Sequence, residues 1–190
     1  MTRNLREHIL QTASGLFYTH GIKATGIDAI VKASGVAKMS LYKYFPSKDD
    51  LVVAHLQRSK ESVLSSIDKA IGGNDKSAVQ KLLTVFDVFA EFLANPEFRG
   101  CPFINAAAEF ADTGSPVQMA VTDFSITVHN LLANLATQAG ITDAYQLARQ
   151  LSMLLTGAIV SEQMQKQPGT MRTACNAAKI LIEQRLAATA

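Results

Sequence analysis

Lys38, Met39, Ser40, Tyr42, Lys43 and Tyr44 fall within seven consecutive residues. Their types suit contact with a polyanion. Lysine ammonium groups pair with phosphate or guanine, a serine hydroxyl bonds a base or a phosphate, and tyrosine offers a hydroxyl to phosphate and ring area to sugar or a thymine methyl. Thr25 and Lys48 lie to either side, each at the start of an expected helix, where backbone amides and the helix dipole favour anions. Catalytic arrangements are not evident. The four histidines (8, 20, 55 and 129) are scattered, no Gly-rich phosphate loop is present, and nothing has metal-ligand spacing. No enzyme activity, metal or cofactor is expected.

These side chains need a short helix held at an angle to its neighbour. Leu5, Ile9, Ala13, Leu16 and Phe17 recur at helical spacing and form one apolar stripe, ended by Gly21. Thr25 three residues before Asp28 reads as a capping-box-like start to a second helix with Ile27, Ile30 and Val31 inward. Gly35 makes the turn, because glycine accepts a positive φ without steric cost. Val36 fits the angle, and a third helix from about Lys38 to Tyr44 packs Leu41 inward and turns the other residues out. Pro46 bars its continuation, and Ser47 with two following acids opens a fourth helix to about residue 71.

The remainder reads as longer helices over about 76–94, 103–111, 116–138, 143–166 and 170–188, broken at Pro- and Gly-containing segments. The fold class is therefore all-α, with about nine helices. An N-terminal three-helix helix-turn-helix head, residues 1–50, sits on a larger body, residues 51–190.

Charge follows the same division. Residues 1–60 carry nine Lys/Arg against four Asp/Glu, and residues 61–190 carry nine against twelve, within an overall +2. A basic head on a mildly acidic body fits an anionic partner, although a lysine-rich solvated surface has the same composition. Hydrophobic content of 48% allows a substantial core. Two distant cysteines read as reduced thiols, and no stretch is long and apolar enough to span a membrane. A cytoplasmic location is expected, with no membrane partner.

The run GIKATGIDAIVKASGVAKMSLYKYFPSKDDL, residues 21–51, resembles the N-terminal signature of the tetracycline-repressor (TetR) family. Gly21, Thr25, Gly35, Val36, Leu41, Tyr42, Phe45, Ser47, Lys48 and Leu51 carry the match. Three positions depart from it: Val31 replaces a usual Ala, Gly26 a common second Thr, and Lys38-Met39-Ser40 a small, Gly-containing run. The last departure argues against borrowing any known operator sequence. The resemblance implies a transcription regulator, and a homodimer presenting two heads to a near-palindromic site on double-stranded DNA. It also implies a repressor released by a small-molecule effector bound in the body.

Seven of nine phenylalanines lie between residues 86 and 124. Phe86, Phe89 and Phe103 either line a cavity for a hydrophobic or aromatic effector or fill an ordinary core. Asn105 and Glu109 are helical i, i+4 neighbours on one face, a polar pair of the kind that orients a ligand, in a segment (99–110) resembling one found in part of the family. His129 is a further candidate contact or an interior histidine. Cys101 reads as a buried thiol or as a redox sensor. Leu147, Leu151, Leu154 and Ala158 form one stripe, and Met171, Ala174, Cys175, Ala178 and Leu181 another. The resemblance implies that these pair across a two-fold axis; otherwise they serve the monomer core. The alternative function is an effector-independent DNA-binding regulator acting through protein contacts.

Overall fold

The computed structural model describes residues 5–73, 75–165 and 169–189. Among them are nine helices: α1 (Leu5–His20), α2 (Ile27–Ser34), α3 (Lys38–Tyr44), α4 (Lys48–Ile71), α5 (Ala78–Leu93), α6 (Pro102–Glu109), α7 (Pro116–Gln138), α8 (Ala144–Gln165) and α9 (Thr170–Thr189). No strand occurs among the described residues. The expected break at Pro168 and the end of the eighth helix at 166 lie outside those residues.

Two compact units emerge. One comprises Met1–Glu61 with Cys101–Phe124, the other Ser62–Gly100 with Ser125–Ala190. The division is not a cut at residue 50, because α6 and the start of α7 group with the head.

In the first unit, α1 packs on α2 and α3. Ile9, Ala13, Phe17, Ile30, Leu41, Phe45 and Leu51 are buried together as its core. Apart from the small Ala13, each such side chain contributes roughly 1.5–3 kcal/mol through burial. Gly35 adopts φ 68°, and its amide donates to the Val31 carbonyl at 3.0 Å. That left-handed residue closes α2 and starts the turn into α3.

The two S/T-x-x-D sequences of this unit, at Thr25 and Ser47, behave differently. At Ser47 the reciprocal cap forms: the Asp50 amide donates to the Ser47 hydroxyl at 3.0 Å, and the Ser47 amide donates to Asp50 at 2.9 Å. At Thr25 it does not. Gly26 is the N-cap of α2 and no side chain caps it. The Thr25 hydroxyl instead turns inward and donates to the carbonyls of Gly21, at 2.7 Å, and Leu16, at 3.3 Å.

In the second unit, α5, α8 and α9 pack on one another. Leu82, Val85, Phe86 and Phe89 of α5 are buried, as are Leu147, Leu151 and Ala158 of α8 and Met171, Ala174 and Ala178 of α9. Of the two α8 and α9 stripes expected at a partner, these buried members pack within the chain's own core, while Leu154, Cys175 and Leu181 are half-buried. Helical spacing identified an apolar face without identifying what covers it. The outward faces carry Met153, Met164 and Ile180, which are 68%, 77% and 56% exposed.

Candidate nucleic-acid interface

Leu41 is fully buried beneath α3, so its neighbours are turned out. Met39 is 81% exposed, the highest of the exposed large hydrophobic side chains, and Tyr42, Lys43 and Tyr44 are exposed beside it. Ser40 is half-buried on the same short helix.

Lys38 does not project freely. Its ammonium lies 2.8 Å from the Asp28 carboxylate of α2. The hydrogen bond from Lys38 to Asp28, then their Coulomb attraction, holds the Lys38 pKa above its ordinary value. Lys48, half-buried at the start of α4, donates to the Lys23 carbonyl at 3.3 Å and so leans over the α1–α2 loop. Thr25 is 3% exposed, and its hydroxyl is occupied by carbonyls. Its side chain thus braces the loop from within.

The candidate effector residues are divided between the two units, Phe103, Asn105 and Glu109 in the first and Phe86, Phe89 and His129 in the second. Phe86 and Phe89 are core residues of the second unit. His129, also in the second unit, sets its ring edge-on to Tyr145 with centroids 4.4 Å apart, and its buried Nε2 has no hydrogen-bond partner among the described residues. Asn105 is half-buried on α6. Glu109, expected to face a ligand, meets the loop between α1 and α2. Its carboxylate accepts from the Ile22 amide at 3.0 Å and the Lys23 amide at 2.5 Å. The i, i+4 spacing was sound, but it did not reveal the amides that α6 meets.

Phe103 does border a cleft. About 320 Å³ of space lies in the first unit against Val53, Leu56, Lys60, Phe103, Met119 and Asp123. Phe103 stacks on Phe124 with centroids 3.7 Å apart and rings 5° from parallel. Lys60 and Asp123 form an ion pair at 2.6 Å along the lining. Desolvation pushes the Cys101 thiol up, and it does the same to Cys175, with Asp87 adding to the effect. Both therefore remain thiols at neutral pH, which opposes thiolate chemistry. Sequence reasoning gave no hint of the Lys38–Asp28 pair or of Arg6 lying 5.1 Å over the Phe45 ring.

A buried-core helical hairpin that offers an exposed, basic and aromatic second helix is the working part of a helix-turn-helix DNA-binding protein. Comparison with known proteins agrees. The model for bacterial regulatory proteins of the tetR family matches residues 9–55, and the tetracyclin repressor-like C-terminal domain matches residues 78–178. The chain belongs to the TetR family of DNA-binding transcriptional regulators, proteins that are not enzymes. It is 28% identical over 170 residues to the HTH-type transcriptional regulator Rv0196 of Mycobacterium tuberculosis, covering 85% of each chain. It is 27% identical over 158 residues to the HTH-type transcriptional regulator YxaF of Bacillus subtilis, covering 82% of this chain and 83% of that one. Among solved structures, SCO4454, a TetR-family transcriptional regulator from Streptomyces coelicolor, superposes with a TM-score of 0.83 at 29% identity, covering 97% and 95%. No helix among the described residues is long and apolar enough to cross a membrane.

Proposed function

We propose that the chain is a dimeric repressor. Its α3 enters the DNA major groove, and a small hydrophobic or aromatic effector releases it. The observation that carries the DNA-binding surface is the exposed outer face of α3. Met39 and Ser40 lie near its N-terminal end, where base edges are reached, and Tyr42, Lys43 and Tyr44 follow toward the phosphates. Lys48 contributes positive charge at the margin, and Lys38 contributes less because Asp28 pairs with it.

Two heads on a near-palindromic site require two-fold symmetry. The outward faces of α8 and α9 supply the surface for it. Met153, Gly157, Val160 and Met164 share one side of α8, and Thr173, Ala177, Ile180 and Gln184 share one side of α9. Three of these are large, exposed apolar residues that a second copy would cover.

Release by an effector is supported by the cleft beside Phe103, whose lining is largely apolar with one ion pair. The volume suits a small molecule at the lower end of ligand-pocket sizes, about 300–1,000 Å³. The test is fluorescence anisotropy on a duplex selected from a random pool by the wild-type protein, with a panel of small hydrophobic compounds. Displacement by one compound, lost in Phe103→Ala, supports the reading. Tight DNA binding that no compound changes favours an effector-independent regulator acting through protein contacts.

A further inference from the structure

The loop between α1 and α2 decides where α2 begins, and so where α3 points. It is held from several sides. The Thr25 hydroxyl ties it to Gly21 and Leu16, and the Lys48 ammonium reaches the Lys23 carbonyl. The third hold comes from far along the chain. Ile22 and Lys23 both donate their amides to Glu109, one to each carboxylate oxygen. The Lys23 ammonium also lies 5.8 Å over the ring of the next residue, Phe110.

Such loop amides otherwise turn to water. A carboxylate accepting two of them makes charge-assisted bonds, the stronger kind. Glu109 is also a negative charge placed against a basic head. On charge alone it opposes an anionic partner, so its placement calls for another role. The helix that carries it, α6, presents Phe103 to the cleft at its other end. One short helix thus borders the cleft and grips the loop.

We propose that Glu109 is a positioning residue for DNA binding: its carboxylate fixes the α1–α2 loop, and through it the seat of α2 and α3, from the helix that borders the cleft. This rests on the DNA-binding reading above. Losing the grip leaves the fold intact but makes the loop pay an ordering cost on DNA. Whatever occupies the cleft acts on the same helix.

The experiment compares wild type, Glu109→Gln and Glu109→Ala. Gln keeps one acceptor oxygen and puts an amide group where the second is needed. Hydrogen exchange is measured at Ile22 and Lys23, with Ile30 and Leu41 as core references. DNA affinity is measured over a salt series on the pool-selected duplex. The proposal expects exchange at Ile22 and Lys23 to accelerate by roughly tenfold while the core references hold. It expects DNA affinity to fall by about tenfold, more for Ala than for Gln, with the salt slope unchanged because no phosphate contact is lost. Unchanged exchange, unchanged affinity, or tighter binding with an altered slope each overturns it. If wild type enriches no duplex, the DNA-binding reading falls and the proposal with it. If wild type binds and Gln binds equally well, only the proposal falls.

Discussion

The Lys38 ammonium and the Asp28 carboxylate meet at 2.8 Å across the angle between α2 and α3. The pair is exposed, 53% and 85% for the two side chains, so it adds little to stability. Its consequence is electrostatic. Asp28 withdraws Lys38 from the surface offered to DNA and sets a negative charge beside it. Asp28→Asn is therefore expected to tighten binding to non-cognate duplex several-fold at low salt, leaving the melting temperature within a degree or two. Anisotropy on a random-sequence duplex checks this. Equal or weaker binding by the variant contradicts it.

Met39 and Lys43 act differently on the same helix. Met39, near the N-terminal end of α3 and 81% exposed, is expected to influence which base is preferred. Selection from a random pool with Met39→Ala should change the preferred base at one or two positions, each about 1–3 kcal/mol in discrimination. Lys43→Ala should keep the selected sequence and weaken all duplexes alike, lowering the salt slope by about one. An unchanged preference in Met39→Ala removes its proposed role.

His55 is buried beneath the head. Its Nδ1 and the Ser14 hydroxyl are hydrogen-bonded at 2.9 Å, and the Phe17 ring meets it edge-on at 5.7 Å. Burial, then the nearby Arg58 charge, pushes its pKa down from 6.5 to about 4. The folded state thus holds the imidazole neutral, while the unfolded chain takes up a proton below about 6.5. The stability is intact above that pH and is lost as pH falls toward 4, amounting to roughly 3 kcal/mol. Thermal unfolding of wild type and His55→Gln between pH 7.5 and 4 tests this. The variant should show a flatter decline, and parallel curves would contradict the assignment.

The two sides of α8 and α9 separate fold from assembly. Leu151→Ala removes a fully buried side chain from the core of the second unit and should cost about 2–5 kcal/mol by thermal or denaturant unfolding. Ile180→Glu or Met153→Glu changes an exposed position. Either should convert a dimer to a monomer in sedimentation while hardly moving the unfolding of the chain itself. A dimer that persists in both variants places the interface elsewhere.

The head was largely legible in the sequence because its signals are local. Gly35 marks a turn, Leu41 shows which way α3 must roll, and Pro46 with Ser47 ends one helix and opens the next. The errors arose where a residue's role depends on a distant partner. Thr25 and Ser47 share the same spacing to an acid, yet only Ser47 caps, because the Thr25 hydroxyl finds two carbonyls of the preceding helix and loop. Glu109 sits 86 positions from the Lys23 amide it accepts, a separation no helical periodicity reports. The stripe through Leu147 and Leu151 has the same spacing whether its own chain or a second copy covers it. In the folded chain Leu147 and Leu151 are buried where α8 packs on α5 and α9.

The central claim, that the outer face of α3 binds DNA, is tested most directly by anisotropy over a salt series on the pool-selected duplex. Wild type, Tyr42→Ala, Lys43→Ala and the body variant Lys81→Ala are compared. The account predicts steeply salt-dependent binding by wild type, at least roughly tenfold weaker binding by the two α3 variants, and no change in Lys81→Ala. Binding that the α3 variants leave intact, or that Lys81→Ala weakens as much, would contradict it.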